Sequence, residues 1–266
     1  MKNQLLLLTL FGLLCTITLS AQDNMAPAAE PAPFPSATPQ HMWEIGLHGG
    51  HFANIGDIDF KPSFGVGLHV RRALDYIFSI RVEAQYGSLK GEGTNTPVQD
   101  YTTSWLSGSV QGIATLNNMK WDKPFRKINL YALGGVGVNS TKVEYTEANK
   151  SQELDGEVAA HIDGGVGVAF RFSKRFNLGI EHKAVFVFGQ RADQLDAWDN
   201  KNYGRTSFRD VPNYTSVRLN FNLGNTEKKS EPLYWINPMD AVLTDISELK
   251  ARPVFDLTDT DKDGII

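Results

Sequence analysis

The amino-acid sequence predicts an all-β fold: an eight-stranded antiparallel up-and-down transmembrane β-barrel over residues 42–224, followed by a short helical and irregular tail. Three observations carry that expectation. Between Met42 and Leu223 eight runs alternate apolar and polar residues. The gaps between the runs alternate short and long. The charged and glycine positions, not the apolar ones, fall where the interior of a barrel would be. Successive side chains of a strand point to opposite faces, so apolar residues at every second position give one greasy face and one wet face. A soluble barrel turns the greasy face inward. Here the polarity is inside out, and lipid is the natural partner of the apolar face.

The runs are 42–51, 64–72, 76–88, 102–117, 128–140, 158–172, 176–189 and 213–223. In the second, Phe64, Val66, Leu68 and Val70 alternate with Gly65, Gly67, His69 and Arg71. In the third, Phe78, Ile80, Val82, Ala84 and Tyr86 alternate with Ser79, Arg81, Glu83 and Gln85. In the eighth, Val217, Leu219, Phe221 and Leu223 alternate with Ser216, Arg218, Asn220 and Asn222. Three connections are compact: Ala73 to Asp75, Asn118 to Lys127, and Ser173 to Arg175. Four are longer and polar, around 52–63, 89–101, 141–157 and 190–212. Outer-membrane barrels have short periplasmic turns and long outside loops. An even strand number leaves both ends of the barrel on one side, and the compact turns follow strands two, four and six. Both termini are therefore expected in the periplasm.

Trp43, Phe64, Tyr76, Tyr86, Phe172, Phe176 and Phe188 sit near strand ends, where aromatic girdles meet the lipid interface. His182 falls on the apolar face of the seventh strand, either at the interface or through a slip of register. The runs Gly134-Gly135-Val136-Gly137 and Gly164-Gly165-Val166-Gly167 lack phosphate-loop spacing and open no helix. They read as strand glycines that relieve crowding on the inner face and permit curvature.

The charges expected to face inward are Glu44, Arg71, Arg81, Glu83, Asp163, Arg171, Glu181, Lys183 and Arg218, with nearly balanced signs. The lumen of an eight-stranded barrel is only wide enough for side chains to fill it. A buried ion without a partner is costly. Arg81, Glu83, Glu181, Lys183 and Arg218 are thus expected to form one salt-bridged plug, structural or gate-like, and not an open aqueous pore. His48, His69 and His161 also face inward, with no spacing that marks a metal site. The last long connection carries Asp193, Asp196, Asp199 and Asp210 with Arg191, Arg205 and Arg209, and reads as a solvated loop able to bridge lipid head groups. His51 is the outer-rim histidine, but no Ser/His/Asp or paired-aspartate arrangement accompanies it, so no enzyme is expected.

The chain begins with an export signal over residues 1–21: Lys2, the apolar stretch Leu5 to Leu19, and the small pair Ser20-Ala21, with cleavage after Ala21 or Ser20. Cys15, the single cysteine, lies inside it, so the mature chain is expected to hold no disulfide or thiolate metal site. A lipoprotein reading of Cys15 meets Leu14 where a small residue is normally needed. Residues 22–41, rich in Pro and Ala, read as a periplasmic leader. The net charge of −4 and the lack of a basic run give no reason to expect a nucleic-acid partner. No stretch after the N-terminus has the roughly 18 apolar residues of a helical span.

Residues 225–266 change character. A charged stretch leads to Pro232-Leu233-Tyr234-Trp235-Ile236-Asn237-Pro238, then Val242, Leu243, Ile246 and Leu249 at helical spacing over Met239 to Lys250. Asp259, Asp261 and Asp263, ahead of Gly264, place hard oxygen ligands at alternate positions, a pattern suited to Ca2+. Three carboxylates make an incomplete calcium site; the alternative is a disordered acidic terminus that attracts cations loosely.

With the eight-run pattern, the segments Tyr234 to Val242 and Phe255-Asp256-Leu257-Thr258-Asp259-Thr260-Asp261 resemble the OmpA-family outer-membrane proteins of the Bacteroidota type. The resemblance implies a barrel followed by calcium-binding thrombospondin type 3 repeats and a peptidoglycan-binding domain. This sequence ends at the first repeat, so it resembles a truncated product or a fragment. The function implied is a structural outer-membrane barrel serving envelope integrity. Alternatives are a narrow low-conductance porin, an adhesion protein acting through its long loops, and a soluble lipid-carrier barrel, which would need the opposite polarity. Expected partners are outer-membrane lipid, proteins met by the tail or loops, and peptidoglycan only through a downstream domain.

Overall fold

The computed structural model describes residues 43–94, 96–119, 127–190, 192–198, 209–223, 232–236 and 246. The expected export signal and leader, the expected 239–250 helix apart from Ile246, and the expected calcium ligands Asp259, Asp261 and Asp263 lie outside the described residues.

Nine strands follow one another: β1 (Trp43–Ile55), β2 (Asp59–Lys61), β3 (Phe64–Ala73), β4 (Phe78–Glu92), β5 (Val98–Thr115), β6 (Ile128–Glu147), β7 (Lys150–Arg171), β8 (Phe176–Phe188) and β9 (Val211–Leu223). Eight of them close an antiparallel barrel in which each pairs with its sequence neighbours, and β9 returns to β1 with Leu223 opposite Trp43. The three-residue β2 pairs only with the far end of β4, Asp59 opposite Glu92, inside the first long connection. Short turns gather at one end of the barrel, here the turn end. At 74–77 the Asp75 carboxylate accepts the Ile77 and Phe78 amides, and at 172–175 the Ser173 hydroxyl accepts the Arg175 and Phe176 amides. The long connections lie at the opposite, loop end.

The outer face follows the alternation. Phe64 is 72% exposed and Leu68 52%, while Arg81 and Glu83 across the wall are 2% each. His182 stands on the outer face with its Nδ1 2.8 Å from the Thr215 hydroxyl on the paired strand, so the register does not slip. Trp43 lies under the Arg72 guanidinium, 5.3 Å away, and Phe176 packs edge-on against Phe221. Tyr76 departs from the girdle expectation. It sits in the turn before β4 and packs against an apolar cluster inside the turn end, because its place in the turn frees it from strand alternation.

Several strands run further than the sequence suggested, all at the loop end. The 141–157 segment, expected as a loop, continues β6 and β7 as a hairpin closed by Ala148 and Asn149, with Glu147 opposite Lys150. Both turn residues have positive φ, 48° and 59°, as a two-residue turn matched to strand twist requires. The outward alternation of apolar residues ends early in these strands because their polarity reverses. Below the reversal, Val136 and Val138 point out; above it, Ser140, Lys142 and Glu144 point out while Val143 is buried inside. β4 does the same, with Lys90 and Glu92 outside and Leu89 inside, as does β5, with Ser104 outside and Trp105 inside. Alternation continues in the opposite sense once the wall faces water instead of lipid.

The interior is therefore layered, with apolar cores on either side of the expected charges. Phe52, Leu89, Tyr101, Trp105, Val143, Val187, Leu195 and Tyr214 make an apolar core at the loop end. Ile113, Tyr131, Leu133, Leu233, Tyr234 and Trp235 make a second at the turn end. The charges lie between. Asp196 and Asp210, expected in a solvated loop, are buried at the mouth of the barrel with Leu195 and Ala197, because their carboxylates accept backbone amides of that connection and of residues 57 and 58.

A two-residue turn of this geometry favours Asn-Gly, and an L residue other than Asn or Gly in left-handed backbone costs roughly 1–2 kcal/mol. The double change Ala148→Asn with Asn149→Gly is expected to firm the hairpin tip by about 1 kcal/mol. Amide hydrogen exchange over 143–152 should slow, and unchanged or faster exchange would contradict the strain assigned to Ala148.

Candidate functional site

The middle of the barrel is lined by inward residues from every one of its eight strands. Parity alone puts Glu44 and His48 of β1, His69 and Arg71 of β3, Arg81 and Glu83 of β4, and Gln111 of β5 on the inner face. Tyr131 of β6, Asp163 of β7, Glu181 and Lys183 of β8, and Tyr214 and Arg218 of β9 complete the lining. All thirteen are buried. Glycines opposite these side chains give them room. A Cβ on Gly167 would overlap the Tyr131 ring, and one on Gly67 would meet the His48 ring at 2.5 Å. Gly134 and Gly164, by contrast, face outward, where a Cβ would meet nothing nearer than ordinary contact distance.

Glu181 accepts four hydrogen bonds. Arg81 grips it with both guanidinium nitrogens, Nη1 to Oε2 at 2.7 Å and Nη2 to Oε1 at 2.9 Å. Arg218 Nη1 donates to Oε1 at 2.5 Å, and the Tyr131 hydroxyl donates to Oε2 at 2.9 Å. Glu83 receives Lys183 Nζ on Oε1 at 2.5 Å and Arg218 Nη2 on Oε2, with Arg81 Nε 3.6 Å from Oε2. Arg218 thus joins the two glutamates through its two terminal nitrogens, and the paired fork suits a carboxylate on either side. Of the expected members, Arg81, Glu83, Glu181, Lys183 and Arg218 all meet in this one cluster. Asp163 joins through Gln111, which takes Arg81 Nε on its oxygen at 2.6 Å and donates to Asp163 Oδ2 at 2.5 Å, while Lys183 Nζ stands 3.8 Å from the same oxygen.

Towards the turn end the cluster continues through His69, whose Nδ1 accepts from Arg218 Nη2 at 3.2 Å and whose Nε2 lies 3.6 Å from Glu44. Glu44 Oε2 accepts from Asn177 at 3.0 Å and from the Tyr234 hydroxyl at 2.8 Å. The Arg71 guanidinium lies over the Tyr234 ring, 3.7 Å from its centre, and its Nε donates to Ser79. The Tyr234 carbonyl accepts side-chain amides of Asn118 and Asn129 at 3.0 and 3.1 Å. Leu233, Tyr234 and Trp235, the short 3₁₀ turn of the tail, are thereby seated inside the barrel's turn end. Arg171, also expected inward, is half-buried at the last position of β7.

His48, His69 and Glu83 bring ligand-type atoms within 4.8 Å of one another. They are poorly disposed to hold a cation. The Arg218 guanidinium already donates to both His69 and Glu83, Lys183 bonds Glu83, and a further positive charge would be repelled by both. Four cations (Arg71, Arg81, Lys183, Arg218) face four anions (Glu44, Glu83, Asp163, Glu181), so the cluster is neutral without a metal.

Inward parity was enough to find the charged members. The neutral residues Gln111, Tyr131 and Tyr214 obey the same parity but carry no charge to mark them. Tyr234 had no such signal, since it belongs to no strand. The expected helix and calcium ligands of the tail lie outside the described residues.

Residues 11–223 match the family model described as outer membrane protein beta-barrel domain. Solved structures with a similar barrel include Ail, the attachment invasion locus protein of Yersinia pestis, at 12% identity, covering 67% of this chain and 97% of that one with a TM-score of 0.39. The N-terminal β-barrel domain of Pseudomonas aeruginosa OprF is 10% identical, covering 67% and 97% with a TM-score of 0.36. A major outer membrane protein of Thermus thermophilus is 11% identical, covering 68% and 100% with a TM-score of 0.42. Comparison with curated protein sequences gave no significant match.

Proposed function

The chain belongs to the outer membrane protein β-barrel family, and on that premise we propose that it is a non-enzymatic structural barrel whose lumen is held shut by its own charges. The observation that carries this reading is the neutral cluster joining Arg81, Glu83, Glu181, Lys183 and Arg218 across the lumen. Opening a water path through it would break several charge-assisted hydrogen bonds at once, and the lumen of eight strands leaves little space beside them. Below it, Tyr234 and Trp235 add an aromatic stopper to the turn end.

The turn end is assigned to the periplasm. It holds the short turns and the paired residues Trp43 and Leu223, and outer-membrane barrels keep their short connections on that side. The wall beyond the polarity reversal then projects outward from the membrane, and surface interaction would fall to the β6–β7 hairpin and the last long connection. The tail would run into the periplasm, where its likeness to calcium-binding repeats and their cell-wall-binding partners would apply.

The narrow-porin alternative is tested in planar bilayers. The mature chain, reconstituted and shown to be folded by migration that changes on boiling, is expected to give no steady ion conductance. Tyr234→Ala alone should leave it closed, because the charge cluster remains. Tyr234→Ala combined with Glu83→Ala should produce detectable openings. Steady conductance by the unaltered chain would favour the porin.

A further inference from the structure

The outer face carries an island of polar side chains within its apolar field. His182 on β8, Thr215 on β9 and His51 on β1 stand side by side, with Thr215 paired to both of the others. Asn213, the next outward residue of β9, is paired with Ala184. Apolar residues frame this island. Ile180 and Phe186 lie below and above His182 on β8, Val166 is its partner on β7, and Val217 follows Thr215 on β9. These four are between 43% and 59% exposed, so the island belongs to the lipid-facing wall and not to the section beyond the polarity reversal.

The chain satisfies only part of this polar set. His182 Nδ1 is 2.8 Å from the Thr215 hydroxyl, and among the described residues its Nε2 has no hydrogen-bond partner. Asn213 spends one amide hydrogen on the Val211 carbonyl at 2.8 Å and keeps Oδ1 and its other N–H. It can therefore meet either tautomer of a histidine ring, as acceptor or as donor. Lipid tails offer neither role, and a polar group left unpaired among them is costly. The wall beside the island is also low. Ala184, Gly164 and Gly134 are paired in a row across β8, β7 and β6, and a Cβ on Gly164 would meet no atom nearer than 4.0 Å.

We propose that His182, Thr215 and Asn213, with His51 at the edge, are the contact between two copies of this chain within the membrane. The occupant must carry hydrogen-bonding groups at a depth where lipid has only tails, and a second copy carries them at the same depth. A two-fold contact sets the same patch against itself, so the histidine of each copy finds the asparagine of the other. Polar side chains and small neighbours are what membrane-embedded surfaces use to associate, because burial of apolar area gives no driving force there.

The experiment uses the mature chain, from residue 22 onward, which holds no cysteine. Single cysteines are introduced and the chain is folded into vesicles at several chain-to-lipid ratios. Ala184→Cys should be joined into a dimer by a short bismaleimide. Ile80→Cys, exposed on β4 across the lumen from β8, should not. His182→Leu and Asn213→Leu, each added to Ala184→Cys, should weaken dimerisation about tenfold, because a two-fold contact loses two hydrogen bonds at once. Both put an apolar residue on the lipid-facing wall, so the barrel should keep its fold, read from migration that changes on boiling. Crosslinking at Ala184→Cys no stronger than at Ile80→Cys would overturn the contact. So would a dimer that survives His182→Leu and Asn213→Leu together. A chain that stays monomeric, and resists urea better with phosphatidylglycerol only while His182 is present, would also overturn it and give the patch to a lipid phosphate.

Discussion

Glu181→Ala and Glu83→Ala are each expected to destabilise the barrel by about 3–5 kcal/mol, because each leaves buried cations without their counter-ion. Removing Glu181 strands the Arg81 fork and half of the Arg218 fork, and frees the Tyr131 hydroxyl. Removing Glu83 strands Lys183 and the other half of Arg218. Both residues are buried, so solvent gives little relief. Urea unfolding in lipid vesicles measures the effect. The two losses should also fall short of additivity in the double variant, since Arg218 serves both. A loss below about 1 kcal/mol for either, the range of an exposed pair, would mean that water reaches the cluster and that the lumen is not shut.

Trp105→Ala is expected to cost a similar amount, about 3–5 kcal/mol, through a different mechanism. Trp105 is 1% exposed and packs edge-on against Phe52 and beside His161, and its Nε1 donates to Ser107. In the lipid-embedded part of the wall an inward tryptophan would be out of place. Here it anchors an apolar core inside the section that has emerged into water. The same urea experiment applies, with protease sensitivity of the loop end as a second readout. Trp105→Ala should expose the 192–198 segment, whose Ala192, Leu195 and Ala197 share its core, while leaving the turn end protected. Equal exposure at both ends would show that the layers do not act as separate cores.

Much of the lumen was legible because alternation is written locally. Arg81 and Glu83 are inward in the sequence for the same reason that they are inward in the barrel: each stands two positions from the next inner residue and one from an apolar outer one. What parity cannot record is height. Arg81 and Glu181 are 100 residues apart, and they meet only because the stagger of successive strands brings β4 and β8 level across the lumen. A charge list therefore named the members of the cluster without saying which carboxylate each cation would hold, or that Gln111 and Tyr131 would fill the gaps.

The misreadings have the same origin. At Ser140, Lys142 and Glu144 the outer residues become polar, so a rule built on apolar outer positions ends β6 there, although the backbone pairing continues to Glu147. Asp196 and Asp210 look solvated because they are acidic, yet backbone amides from distant residues draw them into the barrel mouth. Tyr234 is an unremarkable aromatic until Glu44, Arg71, Asn118 and Asn129 surround it.

By itself the sequence determined which side chains of this protein face lipid and which face the lumen, and hence the inside-out barrel with its balanced inner charges. The period of two belongs to each strand alone and needs no partner to be expressed. Only the tertiary structure decided where the outer face changes from apolar to polar, which charges pair, and that Leu233 to Trp235 and the 192–198 segment pack into the two ends. Those features depend on contacts between residues far apart in the chain, and strand stagger sets them as no local pattern can.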